Sequence, residues 1–129
     1  MRLLLDTHIA VWLTNTPERL SNQLRAAIED PANQVAVSVV AVWEIAIKRA
    51  LGRSDAPPLS AHQAVNEFAA ADFHMLDVTA PHAAFVERLP LIHADPFDRM
   101  MISQAIIENM QLVTYDRQLS RYDVAMLTW

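Results

Sequence analysis

The chain has 129 residues, 53% of them hydrophobic, a formal net charge of −5, one glycine and no cysteine. That length and apolar content suit a single folded domain over residues 1–129 and exclude a disordered chain. The acidic balance excludes a protein that coats nucleic acid, the lone Gly52 excludes a glycine-rich phosphate loop, and the lack of cysteine excludes disulfides, thiolate zinc sites and iron–sulfur clusters.

In chain order, "LLL" at residues 3–5 predicts a short buried strand, and "IAVWLTN" a short helix after it. In "SNQLRAAIED", Ser21 is a helix cap, Leu24, Ala27 and Ile28 repeat at helical spacing, and Pro31 closes the helix. The β-branched "VAVSVV" predicts a second strand, and "AVWEIAIKRALG" a helix ending at Gly52. "RSDAPPLS" is a surface loop whose Ser60 caps a helix running to about Phe73. "MLDVT" predicts a third strand and "APHAAFVERL" a helix. "DPFDRMMISQAIIENM" is the best-marked helix, with Asp95 at the cap, Pro96 at the first helical position and Asp98 at the third. "QLVTYD" predicts a fourth strand, "RQLSRY" a helical turn and "VAMLTW" a final strand. Strands alternating with helices imply an α/β fold, a mostly parallel sheet of about four to five strands covered on both faces. No apolar run approaches the roughly 20 residues of a membrane span. Asp6 interrupts the N-terminal leucines too soon for a signal peptide, so a soluble cytoplasmic protein is expected.

Ligands of such sheets bind beyond the carboxyl ends of the strands. Asp6 and Asp116 end strand segments, Glu44 lies about a turn into a helix that follows a strand, and Asp98 lies in the first turn of the "DPFD" helix. Each has a structural explanation. Asp6 and Asp116 can cap the helices after them, Glu44 can pair with Lys48 on a solvated face, and Asp98 suits a helix N-terminus. Asp95 is fully accounted for as a cap. Four acids on one rim are harder to explain singly, because gathered carboxylates raise one another's pKa. A hard divalent cation relieves that repulsion, and a cysteine-free oxygen set suits Mg2+ or Mn2+.

"LLLDTH", "VSVVAVWEIAIK", "HADPFDRMMISQA" and "LVTYD" together resemble the PIN-domain ribonucleases, in detail the VapC-type toxins of bacterial toxin–antitoxin pairs. The resemblance spans essentially the whole chain, and "DPFDRMMISQA" is its most specific piece. It implies a PIN-like three-layer α/β/α fold and a metal-dependent endoribonuclease. Asp6, Glu44 and Asp98 match the metal-binding acids and Asp116 the fourth, more variable one. Thr7 and Thr114 match positions whose hydroxyls support the cluster. It also implies a homodimer and a cognate antitoxin that blocks the cleft. The chemistry expected is attack on the scissile phosphorus by water activated on one or two Mg2+ or Mn2+ ions, without a covalent intermediate.

Other residues read as structural. The five histidines form no HxxxH pair, so a histidine-bound zinc is not expected. His8 is nearest the acids, and His93 is expected to pack at the helix entry. Trp12 and Trp43 are expected in the core, and Trp129 stacked or buried. Ser38 and Ser103 read as structural hydroxyls. Arg99, Arg117 and Arg121 read equally as phosphate contacts or solvated salt bridges. The rival from another class is a phosphoacceptor receiver-like signalling domain. It wants paired acids after the first strand and a lysine at a late strand end, whereas this chain has only Asp6 there and its single lysine is Lys48. An aspartyl phosphatase fails because His8 stands where its DxD pattern needs an acid.

Overall fold

The computed structural model describes residues 1–122 and 124–127, with the side chain of residue 127 left out. Five strands form one parallel sheet: β1 (Arg2–Leu5), β2 (Gln34–Ser38), β3 (His74–Leu76), β4 (Gln111–Val113) and β5 (Met126–Leu127). Their order is β3-β2-β1-β4-β5, which puts β1 at the centre. Leu5 pairs with Val37 on one side and Val113 on the other, so three strands end at the same level.

The three leucines are consecutive because β1 is covered on both faces. Leu3 and Leu5 pack with Ile9, Leu24, Ile45 and Phe68, whereas Leu4 points the other way onto Met101, Ile102 and Leu112. The first layer is built by α1 (Thr7–Asn15), α2 (Asn22–Glu29) and α4 (Ala61–Ala70). The second comes mainly from α5 (Ala80–Phe85) and α6 (Pro96–Ile107), and α3 (Val39–Ala50) feeds both. All three leucines are wholly buried, and truncating any one to alanine would cost about 2–5 kcal/mol.

Side-chain caps cut the strands shorter than their apolar runs. β2 stops at Ser38 instead of running through Val40, because the Ser38 hydroxyl accepts from the Val40 N–H and starts α3. β3 ends at Leu76, and Thr79 caps α5 in a reciprocal box with His82. β4 ends at Val113; the Thr114 hydroxyl then accepts from the Asp116 N–H, and Asp116 caps a 3-10 turn, Arg117–Arg121. Ser60 and Gln63 form a capping box on α4, which ends at Ala70, short of Phe73, where Asp72 turns the chain with φ +62°. Gly52 closes α3 at φ +64° as expected. The final strand is found at Met126–Leu127; Trp129 lies outside the described residues.

No described helix is long and apolar enough to cross a membrane. Trp43 departs from the expected core position. It is 56% exposed and meets Phe97 in a T-shaped contact at 5.1 Å, because α3 turns Ile45 and Ala41 inward instead.

Candidate active site

β1, β2 and β4 end together, and α1, α3 and α6 begin beside those ends. This arrangement brings Asp6, Glu44, Asp98 and Asp116 around one cavity of ≈ 380 Å³, together with Asp95 and Lys48. All four acids singled out in the sequence therefore share one space.

Capping and site placement turn out to be compatible, because a carboxylate has two oxygens. Asp6 caps α1 with Oδ1, which accepts from the Ile9 N–H at 2.9 Å. Asp116 caps its turn with Oδ1, accepting from the Gln118 N–H at 3.0 Å. Asp95 caps α6 with Oδ1, accepting from Phe97 at 2.8 Å and Asp98 at 3.2 Å. In each case Oδ2 is not used for the cap.

Glu44 does pair with Lys48, at 2.7 Å, but the pair is buried rather than solvated. The side chains are only 4% and 7% exposed. Thr7 donates to Glu44 Oε1 at 2.8 Å while Lys48 holds Oε2, so each oxygen is fixed by one donor. Burial alone would lower the Lys48 pKa, but the hydrogen bond and the charge of Glu44 override it and raise it. The lysine is therefore a fixed positive charge in the wall.

Asp98 and Asp6 are both pushed toward their neutral forms. Burial raises the Asp98 carboxyl to about 7, with the charge of Asp95 next in weight; His93 pulls against this, and Asp6 and Glu44 add to it. Burial likewise raises Asp6, against hydrogen bonds from Thr114 and the Ile9 amide. Thr7 and Thr114 are both buried, as support for the cluster requires.

His93 was expected only to pack at the helix entry. Its Nε2 lies 2.8 Å from Asp98 Oδ2 and 3.8 Å from Asp116 Oδ2, with its backbone N–H held by the Tyr122 hydroxyl at 2.8 Å. Ligand atoms of His93, Asp98 and Asp116 lie within 4.8 Å of one another. Nothing in the periodicity marks it, because residues 93–95 precede the helix; only the turn into Pro96 folds the ring back over Asp98. Lys48 was visible as an i,i+4 partner, but its burial was not.

The remaining expectations separate cleanly. Ser38 and Ser103 are structural: one caps α3 and the other donates to the His82 carbonyl at 2.7 Å. Among the described residues Arg99 forms no salt bridge. Its guanidinium donates to the carbonyls of Val86, Leu89 and Pro90 and to the Tyr122 hydroxyl, pinning the loop before α6. Trp12 is only half-buried and lines the cavity instead of the core alone.

The PIN-domain family pattern matches residues 3–125. The chain belongs to the PIN-domain family. This PIN domain is 34% identical over 120 residues to ribonuclease VapC22 of Mycobacterium tuberculosis, covering 91% of this chain and 88% of that relative. Its fold is similar to VapBC2 from Rickettsia felis, solved bound to a DNA fragment from its promoter. The TM-score is 0.71 and the identity 19%, over 100% of this chain and 99% of the other. A toxin–antitoxin complex from Klebsiella pneumoniae aligns with a TM-score of 0.62 and 17% identity, over 98% and 96%. These structures share the fold.

The donor set fits a hard divalent cation. It offers carboxylate oxygens with one oxygen of Asp6, Asp95 and Asp116 left over from capping, no sulfur, and one imidazole already bonded to Asp98. Carboxylates held close enough to raise one another's pKa are the electrostatic setting that such a cation stabilises.

Proposed function

We propose that this PIN domain is a metal-dependent endoribonuclease and the toxin of a toxin–antitoxin pair. The observation that carries the reading is the convergence of Asp6, Glu44, Asp98 and Asp116 on one cavity at the carboxyl end of the sheet. The relationship to ribonuclease VapC22 supports RNA as the substrate. Mg2+ or Mn2+ would be held by those four acids, and when bound it supplies a Lewis acid for the phosphate and a lowered pKa for water.

The chain's own groups perform the rest. The Ile9 amide and Thr114 orient Asp6. Thr7 and Lys48 orient Glu44, each holding one carboxylate oxygen. His93 fixes the rotamer of Asp98, the service an outer hydrogen-bond partner gives a ligand. Asp116, the most exposed of the four, with its side chain 39% accessible, is placed to orient water arriving from solvent. The buried floor of leucines and valines keeps bulk water from the other side of the acids.

A cluster of acids at an open rim also attracts a partner's cation. The cognate antitoxin is expected to place a basic side chain near Asp6, Glu44 and Asp98 and compete with metal. A homodimer is expected as the toxin's own assembly. The structural likeness to VapBC2 and to a toxin–antitoxin complex supports the antitoxin partner.

The test is cleavage of total RNA by the purified chain. EDTA should stop it and Mg2+ or Mn2+ should restore it. Full activity in chelator, or restoration by Zn2+ alone, would overturn the reading. Labelling by acetyl phosphate at Asp6 would favour the receiver-like alternative.

A further inference from the structure

A second cavity, of ≈ 350 Å³, lies beside the acid cavity and shares His8 and Trp12 with it as lining residues. The second cavity is lined by Arg19, by the proline loop at Pro57 and Pro58, and by Asp55, whose carboxylate is paired with Arg53 and Lys48. The Arg19 guanidinium lies over the Trp12 ring, 4.1 Å from its centroid. Tyr115 packs on the same indole at 5.3 Å and its hydroxyl donates to the Arg19 carbonyl at 3.3 Å, so ring and backbone are braced together. His8 flanks Trp12 at 5.8 Å and is exposed.

Arg19 is exposed, and among the described residues it forms no ion pair with any carboxylate. Lys48, the lysine in the wall of the acid cavity, is already bound to Glu44, and Arg99 is held by carbonyls. An acidic chain that accepts a polyanion at a cluster of carboxylates needs a cation beside them. Arg19 is that cation, stacked and so pre-ordered.

We infer that Arg19, stacked on Trp12 beside His8, forms a nucleotide-binding subsite that holds a phosphate and base of single-stranded RNA next to the acid centre. The guanidinium, held on Trp12, takes the phosphate, and the exposed His8 ring beside it offers a face against which a neighbouring base stacks without regard to its identity. The subsite rests on the ribonuclease reading for its substrate, and it explains where an acidic nuclease grips the strand. It also gives α1 two tasks: its N-terminus carries Asp6, and its second turn carries the grip.

The test uses the full chain with Ca2+ in place of Mg2+ and a fluorescent 2′-O-methyl oligonucleotide of about 12 mixed-sequence residues. Binding is measured by anisotropy across a salt series. Arg19→Gln should weaken binding about tenfold and flatten the log–log salt slope by about 0.7, the loss of one phosphate contact on a single strand. Arg19→Lys should keep the slope while losing part of the affinity, because the charge remains and the stack does not. Trp12→Phe should lose several-fold in affinity at an unchanged slope. Melting temperatures check that each variant is folded. Equal affinity and slope in Arg19→Gln, no binding by the parent chain, or displacement of the oligonucleotide by an equal charge of poly-glutamate would each overturn the subsite, the last assigning the cleft to an acidic peptide. EDTA-sensitive RNA cleavage with no Arg19 effect on binding would overturn the subsite alone. Arg19-dependent binding without any RNA cleavage would overturn the nuclease reading and leave the subsite standing.

Discussion

Both ends of the sheet collect acids, and the larger cavity is at the wrong one. At the amino end, a groove of ≈ 800 Å³ is lined by Leu13, Ile28 and Phe73 with Glu29, Asp30, Glu67 and Asp72 about it. At the carboxyl end, a cavity less than half that size holds Asp6, Glu44, Asp95, Asp98 and Asp116. The number of carboxylates is similar; their solvation is not. Glu29, Asp30 and Asp72 are exposed, and Glu67 shares its charge with Asn15 at 3.0 Å on the surface. Asp6 and Glu44 are 8% and 3% exposed. Desolvation, not the count of acids or the size of the hollow, makes carboxylates demand a cation.

Opposite variants at the two ends sharpen that contrast most. Asp98→Asn is nearly isosteric but removes a charge from the desolvated cluster. It should cut RNA cleavage by at least about 100-fold, the upper end of what the loss of even an outer partner costs a metal site. Asp72→Asn at the amino end should leave cleavage unchanged. Calorimetric Mg2+ titration should show affinity lost in the first and kept in the second. Equal effects would mean that the two ends do not differ in the way argued.

Removing a cation at the carboxyl end should be the most destabilising change. Lys48→Met leaves Glu44 buried and unpaired, a loss of about 3–5 kcal/mol in urea unfolding with EDTA present. Added Mg2+ should recover part of it, since a second cation then faces Glu44. The exposed Arg53–Asp55 pair at 2.8 Å is the control. Arg53→Met should cost no more than about 1 kcal/mol.

The same contrast has a pH signature. The folded state holds the Asp98 proton up to about pH 7, while the unfolded chain releases it near 3.8. Between those values the folded state binds more protons, so stability falls as pH rises. The contribution is fully present below about pH 4 and lost on passing through about pH 7. Metal-free protein should therefore be more stable at pH 5 than at pH 8, on the order of a few kcal/mol. Asp6, also raised by burial, acts in the same direction. Asp98→Asn should remove most of the slope. A melting temperature that climbs from pH 5 to pH 8 in EDTA would contradict the burial of these acids.

The smallest effect concerns Asp95. Its Oδ1 satisfies two backbone amides of α6, so Asp95→Ala should cost about 1 kcal/mol and Asp95→Asn almost nothing. Thermal melts give the caps, and cleavage assays give the chemistry. If Asp95→Asn keeps the fold and loses cleavage, its second oxygen belongs to the site as well.

The order of elements was legible in the chain because local rules decide it. Period, caps and breakers lie within a few residues, as at Ser21, Ser60, Asp95–Pro96 and Gly52. Strand ends were read too long where apolar runs continue past a hydroxyl or acid cap, because Ser38 and Asp116 compete with the ladder for the same amides. The four acids were legible as a group because a parallel sheet puts every strand's carboxyl end on one rim. Tertiary structure decided the rest. Only packing buries the Glu44–Lys48 pair, turns Trp43 to solvent, folds His93 onto Asp98 and lays Arg19 across Trp12. Each of these depends on what faces the residue from another element. Burial and partner identity are properties of the assembled layers, and no window of neighbouring residues contains them.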